Sequence, residues 1–343
     1  MNGFLAWGAK LTGGLLVSVL LFSGVSIAAQ ECRFDDAELM TRPGSSGPPT
    51  DVFVRLYVND ITRIQDVEQS FLADVVFRAE WSDPRLTHSA PVPCLATELQ
   101  VWAPQIQSLN LRVMEQRRPP EIRVAPSGEV AMFMRGFGEF SFPADLADFP
   151  FDQQILPFVL ISTRSPQELV MRSDDSGVGM GDRLSVANWD ISYRDANSST
   201  HYLASADRDI PRLDIVFDAK RLTGYYTWKL IVPLLLVVMM SWAVFWMAPV
   251  HVAPRVGLAA TAMLTLIAYR FALGALLPPI AYLTRMDVFL VFASVLVFAA
   301  LAVAVIVTYV ADHGREDLAH KITRVARWLS PLLFVGLLLM VFR

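Results

Sequence analysis

Six residues between positions 257 and 275 have the most informative spacing in the chain. Gly257, Thr261, Leu264, Ala268, Phe271 and Ala275 recur in alternating steps of four and three, which places them on one stripe of a helix. In order, the stripe is small, polar, bulky, small, bulky, small. Two readings fit it. In one, small residues let the helix pack closely inside a bundle of membrane helices. In the other, the stripe lines a narrow bore, where Thr261 offers a hydroxyl to a passing ion. Leu264 and Phe271 would then form apolar constrictions that shed water and act as the gate.

Other constellations offer less chemistry. The histidines are His88, His201, His251, His313 and His320, and no two share metal-ligand spacing on one element. No nucleophile elbow or P-loop is present, so hydrolase and kinase readings fall away, and no cofactor or metal is implied. Asp174, Asp175 and Asp182 in RSDDSGVGMGD read either as a cation site or, more simply, as a solvated loop. A formal net charge of −4 gives no reason to expect a nucleic-acid partner.

The elements that position these residues follow from composition. At 54% hydrophobic the chain is too apolar for an ordinary soluble enzyme, and the apolar residues are concentrated in runs. Residues 1–29 carry Lys10, an apolar run from Leu11 to Val25 and small residues before Gln30, the pattern of a secretory signal peptide, with a retained anchor helix as the alternative. Residues 30–50 are rich in Pro, Gly and Ser and read as a flexible lead-in. From Asp51, Val52, Val54, Leu56 and Val58 alternate with Phe53, Arg55, Tyr57 and Asn59, as in a half-buried strand. Short strand-like runs separated by turn formers continue, so residues 51–222 predict an immunoglobulin-like β-sandwich. Cys32 and Cys94 would both be exported, where a disulfide or two thiols are equally allowed.

Beyond Tyr225 the period of two is lost. Residues 223–343 predict four transmembrane helices at about 226–248, 254–276, 286–310 and 323–342. The fold class is therefore an α+β multidomain membrane protein, a sandwich followed by a four-helix bundle in the lipid bilayer. Export of the sandwich puts the link between the third and fourth helices inside the cell, and Arg315, Lys321, Arg324 and Arg327 there agree with the positive-inside rule. An anchored sensor would need one helix. Four helices, one with a semi-polar stripe, favour conduction of ions.

An ordered set of motifs then resembles the pentameric ligand-gated ion channels, the Cys-loop receptors and their bacterial relatives. Trp81-Ser82-Asp83-Pro84-Arg85-Leu86 matches W-x-D-x-R-L, and Trp102-Ala103-Pro104 matches W-x-P, with Asn110 following. Phe149-Pro150-Phe151-Asp152-Gln153-Gln154 matches the FPFDxQ heart of the Cys-loop. Arg221 precedes the first helix, Pro233 lies within it, and Leu277-Pro278 with Tyr282 matches the link between the second and third helices. Phe142 and Leu156 stand where the loop cysteines would be, as in bacterial members.

The resemblance implies a homopentamer around a pore of second helices, in a bacterial inner membrane, with the sandwich on the outer side. It implies coupling between sandwich and pore through Asp66 or Glu68, Asp152, Arg221, Pro278 and Tyr282. It puts the agonist site near Trp102, Ile161, Thr163, Tyr193 and Tyr202. The expected loop aromatic is replaced by Thr163, so the agonist is either protons, with His88, His201 and the junction carboxylates as candidates, or an unidentified small molecule. The mouth of the pore would be Ala253, Pro254, Arg255 and Gly257. No Asp or Glu occurs from Arg221 to Thr284, and the stretch Ala253–Leu258 resembles the entrance of chloride-conducting members. The expectation is an anion pore, with a cation pore as the alternative.

Overall fold

The computed structural model describes residues 34, 36–116, 119–173, 175–248, 251–274 and 279–341. The expected signal peptide, Cys32, Ala275 and Pro278 lie outside the described residues. Twelve strands are seen among the described residues. They are β1 (Thr50–Gln65), β2 (Ser70–Ser82), β3 (Cys94–Ala96), β4 (Ile106–Ser108), β5 (Leu111–Gln116) and β6 (Glu121–Val124), then β7 (Glu129–Ser141), β8 (Gln153–Ser162), β9 (Leu169–Arg172), β10 (Val178–Met180), β11 (Trp189–Leu203) and β12 (Arg208–Arg221). One sheet has the order β10-β1-β2-β7-β6-β3, with β5 on β7 and β9 on β1; the other is β11-β12-β8-β4.

The alternation read from β1 fixes its inward face. Val52, Val54, Leu56 and Val58 are buried, while Phe53, Arg55 and Tyr57 point out. Between the sheets an aromatic column forms the middle of the core. Phe71 and Phe140 stack at 5.4 Å across β2 and β7, and Phe158 meets both edge-on at 5.3 and 4.8 Å. Phe217 extends the column at 5.8 Å. Burying each ring contributes about 2–3 kcal/mol, so this column ties the sheets together.

The lead-in is a correction to the sequence reading. From Asp36 to Thr50 it is held to the sandwich rather than loose. Asp36 caps a 3₁₀ turn, Ala37–Met40, whose Leu39 is buried. Leu39 O accepts from Trp102 N at 2.7 Å. Arg85, paired to the buried Asp83, donates to Glu38 O at 2.8 Å and Thr41 O at 2.9 Å. Arg42 reaches the carbonyls of Gly44, Ser45, Gly47 and Pro48. Backbone oxygens with no strand partner thus find guanidinium donors, which composition alone does not reveal. Arg85→Ala should expose this segment: limited proteolysis should cut within residues 36–50 several times faster, with about 2 kcal/mol lost from the fold.

The acidic Gly-rich segment is also more ordered than a solvated loop. Its Val178–Met180 pairs parallel to β1, and Gly181 is required there because a Cβ would lie 2.6 Å from Asn59 O. Cys94 is disulfide-bonded.

Four helices are long and apolar enough to cross a membrane: α1 (Gly224–Trp246), α2 (Val252–Gly274), α3 (Arg285–Asp312) and α4 (Glu316–Val341). Trp228 and Trp246 are exposed near the two ends of α1. Eighteen helical residues separate them by about 27 Å, close to the thickness of a hydrocarbon core with its aromatic belts. The fourth helix starts seven residues earlier than expected, at Glu316 rather than 323. Its first two turns are polar and amphipathic, which a hydropathy boundary excludes. Only His313-Gly314-Arg315 separates α3 from α4, and Gly314 takes the left-handed conformation (φ +76°) that ends a helix.

Candidate functional site

The junction between sandwich and helices is built on one buried guanidinium. Arg221 ends β12, and its side chain is only 1% exposed. Its Nε and Nη2 donate to Asp152 at 2.7 and 2.9 Å, and Nη1 and Nη2 donate to Asp66 at 3.0 and 2.8 Å. Nη1 also donates to Tyr226 Oη at 3.1 Å. Trp189, Phe149 and Tyr226 flank the guanidinium, their ring centres 4.1, 5.0 and 5.4 Å from it. Burial pulls the Arg221 pKa down, but the bonds to Asp152 and Asp66 outweigh it and hold the group above its ordinary value.

Of the two acids expected in the first strand turn, Asp66 joins this cluster, whereas Glu68 is exposed. Asp152 comes from the FPFDxQ motif, and that motif's last residue explains itself. Gln154 Nε2 donates to Asp152 at 2.5 Å and Asp145 O at 2.6 Å, while its Oε1 accepts from Asp145 N at 3.0 Å. The same loop grips the membrane domain. Tyr282 Oη accepts from Leu146 N at 3.0 Å, and Arg285 donates to Asp148 at 2.7 Å. Tyr226, Trp189 and Arg285 were not singled out in the sequence; an aromatic or arginine at a domain junction carries no periodic signature.

On α2 the described stripe residues Gly257, Thr261, Leu264, Ala268 and Phe271 are all exposed in the subunit, Leu264 at 67% and Phe271 at 79%. The opposite face is buried against the other helices through Ala259, Ala262, Leu266 and Leu273. Thr261 Oγ1 donates to Gly257 O at 2.8 Å, which leaves its oxygen lone pairs facing outward.

Arg255 departs from the expected mouth. It is 0% exposed and lies on the buried face, while Ala253, Pro254 and Gly257 are exposed. Helical arithmetic explains this: nine residues before Leu264 is two and a half turns, so the two side chains point to opposite sides. The guanidinium nitrogens of Arg255 make no hydrogen bond among the described residues.

The five expected agonist residues do not form one cage. Trp102 is 1% exposed and packs edge-on against Trp81 at 5.8 Å, so it belongs to the core. Ile161 is buried in β8 opposite Arg212. Tyr193 donates to Asp175 at 3.0 Å, and Tyr202 donates to Asp207 at 2.5 Å. The hydrogen bond to Asp207 raises the Tyr202 pKa. Both tyrosines lie on β11, nine residues apart, so extended geometry separates them by about 30 Å. Thr163 and the β11–β12 hairpin do meet, since Arg208 Nη2 donates to Thr163 O at 2.8 Å.

A different cluster occupies the outward face of β2, β6 and β7. Arg78 and Arg123 stand 5.0 and 5.5 Å from the Phe133 ring centre, beside a cleft of about 540 Å³ that Arg123 and Phe133 line. Their carboxylate partners are Glu80 and Glu121. Strand alternation marks these residues as outward, but nothing in the sequence alone pairs them.

Comparison with known proteins agrees with the two-part fold. The description "Neurotransmitter-gated ion-channel ligand binding domain" matches residues 34–223, and "Neurotransmitter-gated ion-channel transmembrane region" matches residues 230–340. These matches span most of the chain, which belongs to the neurotransmitter-gated ion channels. It is accordingly a multi-pass membrane protein, from a family of channels and not of enzymes.

Among its relatives is gamma-aminobutyric acid receptor subunit gamma-3 of Homo sapiens. It is 24% identical over 302 residues, which cover 84% of this chain and 65% of the relative. Subunit alpha-4 of Rattus norvegicus is 26% identical over 296 residues, covering 82% of this chain and 53% of the relative. The chain thus spans between about half and two thirds of the length of these relatives.

Proposed function

We propose that the chain is the subunit of a homopentameric ligand-gated channel in a bacterial inner membrane, with α2 lining an anion-conducting pore. The observation that carries this reading is the exposed stripe of α2. It is a semi-polar helix face that the subunit leaves uncovered along a membrane-spanning length, and five such faces meeting around water remove it from lipid. An export signal and a short link between α3 and α4 support the bacterial setting. The sandwich then lies on the periplasmic side.

Anion selectivity is supported by the absence of carboxylates from Arg221 to Thr284 and by the resemblance of Ala253–Leu258 to the entrance of chloride-conducting members of the family. Arg255, being buried, acts on the mouth through its field rather than as a lining group. Reversal potentials under a salt gradient test the assignment. A shift towards the cation equilibrium potential would overturn it, leaving the cation pore. Ala253→Glu places five carboxylates at an exposed position of the mouth and should reverse the preference, moving the reversal potential across zero.

The agonist is proposed to be a small carboxylate-bearing molecule. Arg78 and Arg123 over Phe133 offer guanidinium donors beside a cleft, and the relatives are named for an amino acid. Protons are the alternative. Currents evoked by millimolar gamma-aminobutyric acid or related acids at fixed pH favour the first; currents that follow only pH across about 4 to 8 favour the second.

A further inference from the structure

The outer end of α1 contains a turn that is not α-helical. Thr227–Ile231 form a π turn, in which Val232 N donates to Thr227 O, five residues back. Two residues further stands Pro233, with no N–H to return to Lys229. The wider turn and the missing donor both favour an outside donor for the carbonyls here. Tyr269 of α2 provides one. Its hydroxyl donates to Leu230 O and reaches Lys229 O at 3.4 Å.

The position of this contact matters more than its strength. One turn before Leu230 is Tyr226, which accepts from Arg221 and packs edge-on against Phe149 at 5.1 Å. On the other side, Tyr269 is five residues beyond Leu264 and two before Phe271. Five helical residues correspond to about 140° of rotation, so Tyr269 points away from the stripe and towards α1.

We propose that Tyr269 is a positioning residue for gating: its bond to the Leu230 carbonyl holds the outer half of α2 back against α1, away from the bore. This rests on the reading that α2 lines the pore. It gives the Arg221 cluster a direct mechanical connection to the gate helix, through Tyr226 and the π turn. Losing the bond lets the outer half of α2 settle towards the axis and narrows the passage.

The test needs no agonist. A Thr261→Cys reporter sits on the inner side of Leu264, so a water-soluble thiol reagent applied from the outer side reaches it only through the gate. In reconstituted full-length protein, Tyr269→Phe should slow modification about three- to ten-fold, the effect of one neutral hydrogen bond on an equilibrium. Its elution as an assembled oligomer should be unchanged. Tyr269→His, which keeps a ring donor, should restore most of the rate, as a merely structural ring would not require. Should Tyr269→Phe fail to assemble, Pro233→Ala supplies a competing N–H for the Lys229 carbonyl and should slow modification in the same direction.

An unchanged or faster rate in Tyr269→Phe, while Leu264→Thr speeds modification, overturns the latch and leaves the pore reading standing. If Leu264→Thr also has no effect, the pore reading itself fails, and the latch with it.

Discussion

Arg221→Ala is expected to abolish surface expression of assembled channels, or to leave assembled channels that no longer open. The side chain makes five hydrogen bonds to three residues from three separate stretches. Removing it strands the carboxylate of Asp152, whose side chain is 2% exposed, and that of Asp66 at 13%. Breaking a buried pair by deleting one partner costs about 3–5 kcal/mol, because the remaining charge is left uncompensated. That is a large fraction of a typical domain's stability. Arg221→Lys retains charge but not the fork that serves both acids, and should rescue only in part. Size-exclusion profiles and thermal melts measure the structural loss; currents from whatever assembles measure the coupling. Wild-type melting and gating in Arg221→Ala would remove this cluster from the mechanism.

The second large effect is expected at Leu264. Leu264→Thr should produce channels that leak without agonist, with an open fraction raised at least about ten-fold. Each substitution removes on the order of 1–2 kcal/mol of apolar character from the constriction, and the proposed ring repeats it five times. Leu266, two residues on, is 1% exposed and packs in the bundle core. Leu266→Thr should therefore lower stability and expression without causing leak. Recording holding current beside melting temperature separates the two. Leak from Leu266→Thr and none from Leu264→Thr would mean that the exposed face does not line the conducting path.

The sandwich was legible because its information is local and periodic. Val52 to Val58 give their inward face by alternation alone, and the long apolar runs give the starts of three membrane helices to within two residues but miss the polar first turns of the fourth. The stripe of α2 was legible for the same reason, and so was the burial of Arg255, had its half-turn offset from Leu264 been counted. What periodicity cannot carry is pairing between distant segments. Asp66, Asp152 and Arg221 are separated by 86 and 69 residues, and only the motif order suggested that they meet. Tyr193 and Tyr202 were assigned to one site by the resemblance, yet an extended strand keeps such residues far apart. The lead-in misled for another reason: Pro, Gly and Ser mark backbone that lacks its own partners, and Arg42 and Arg85 supplied them from side chains.

The three-residue link between α3 and α4 has a consequence for how the channel would be measured and controlled. On the proposed orientation it lies at the inner membrane surface, with hardly any chain on which a cytosolic kinase or scaffold could act. Ions leaving the bore would enter bulk solvent at once, with no covering structure from this link adding series resistance. Unitary conductance would then carry no contribution from this link.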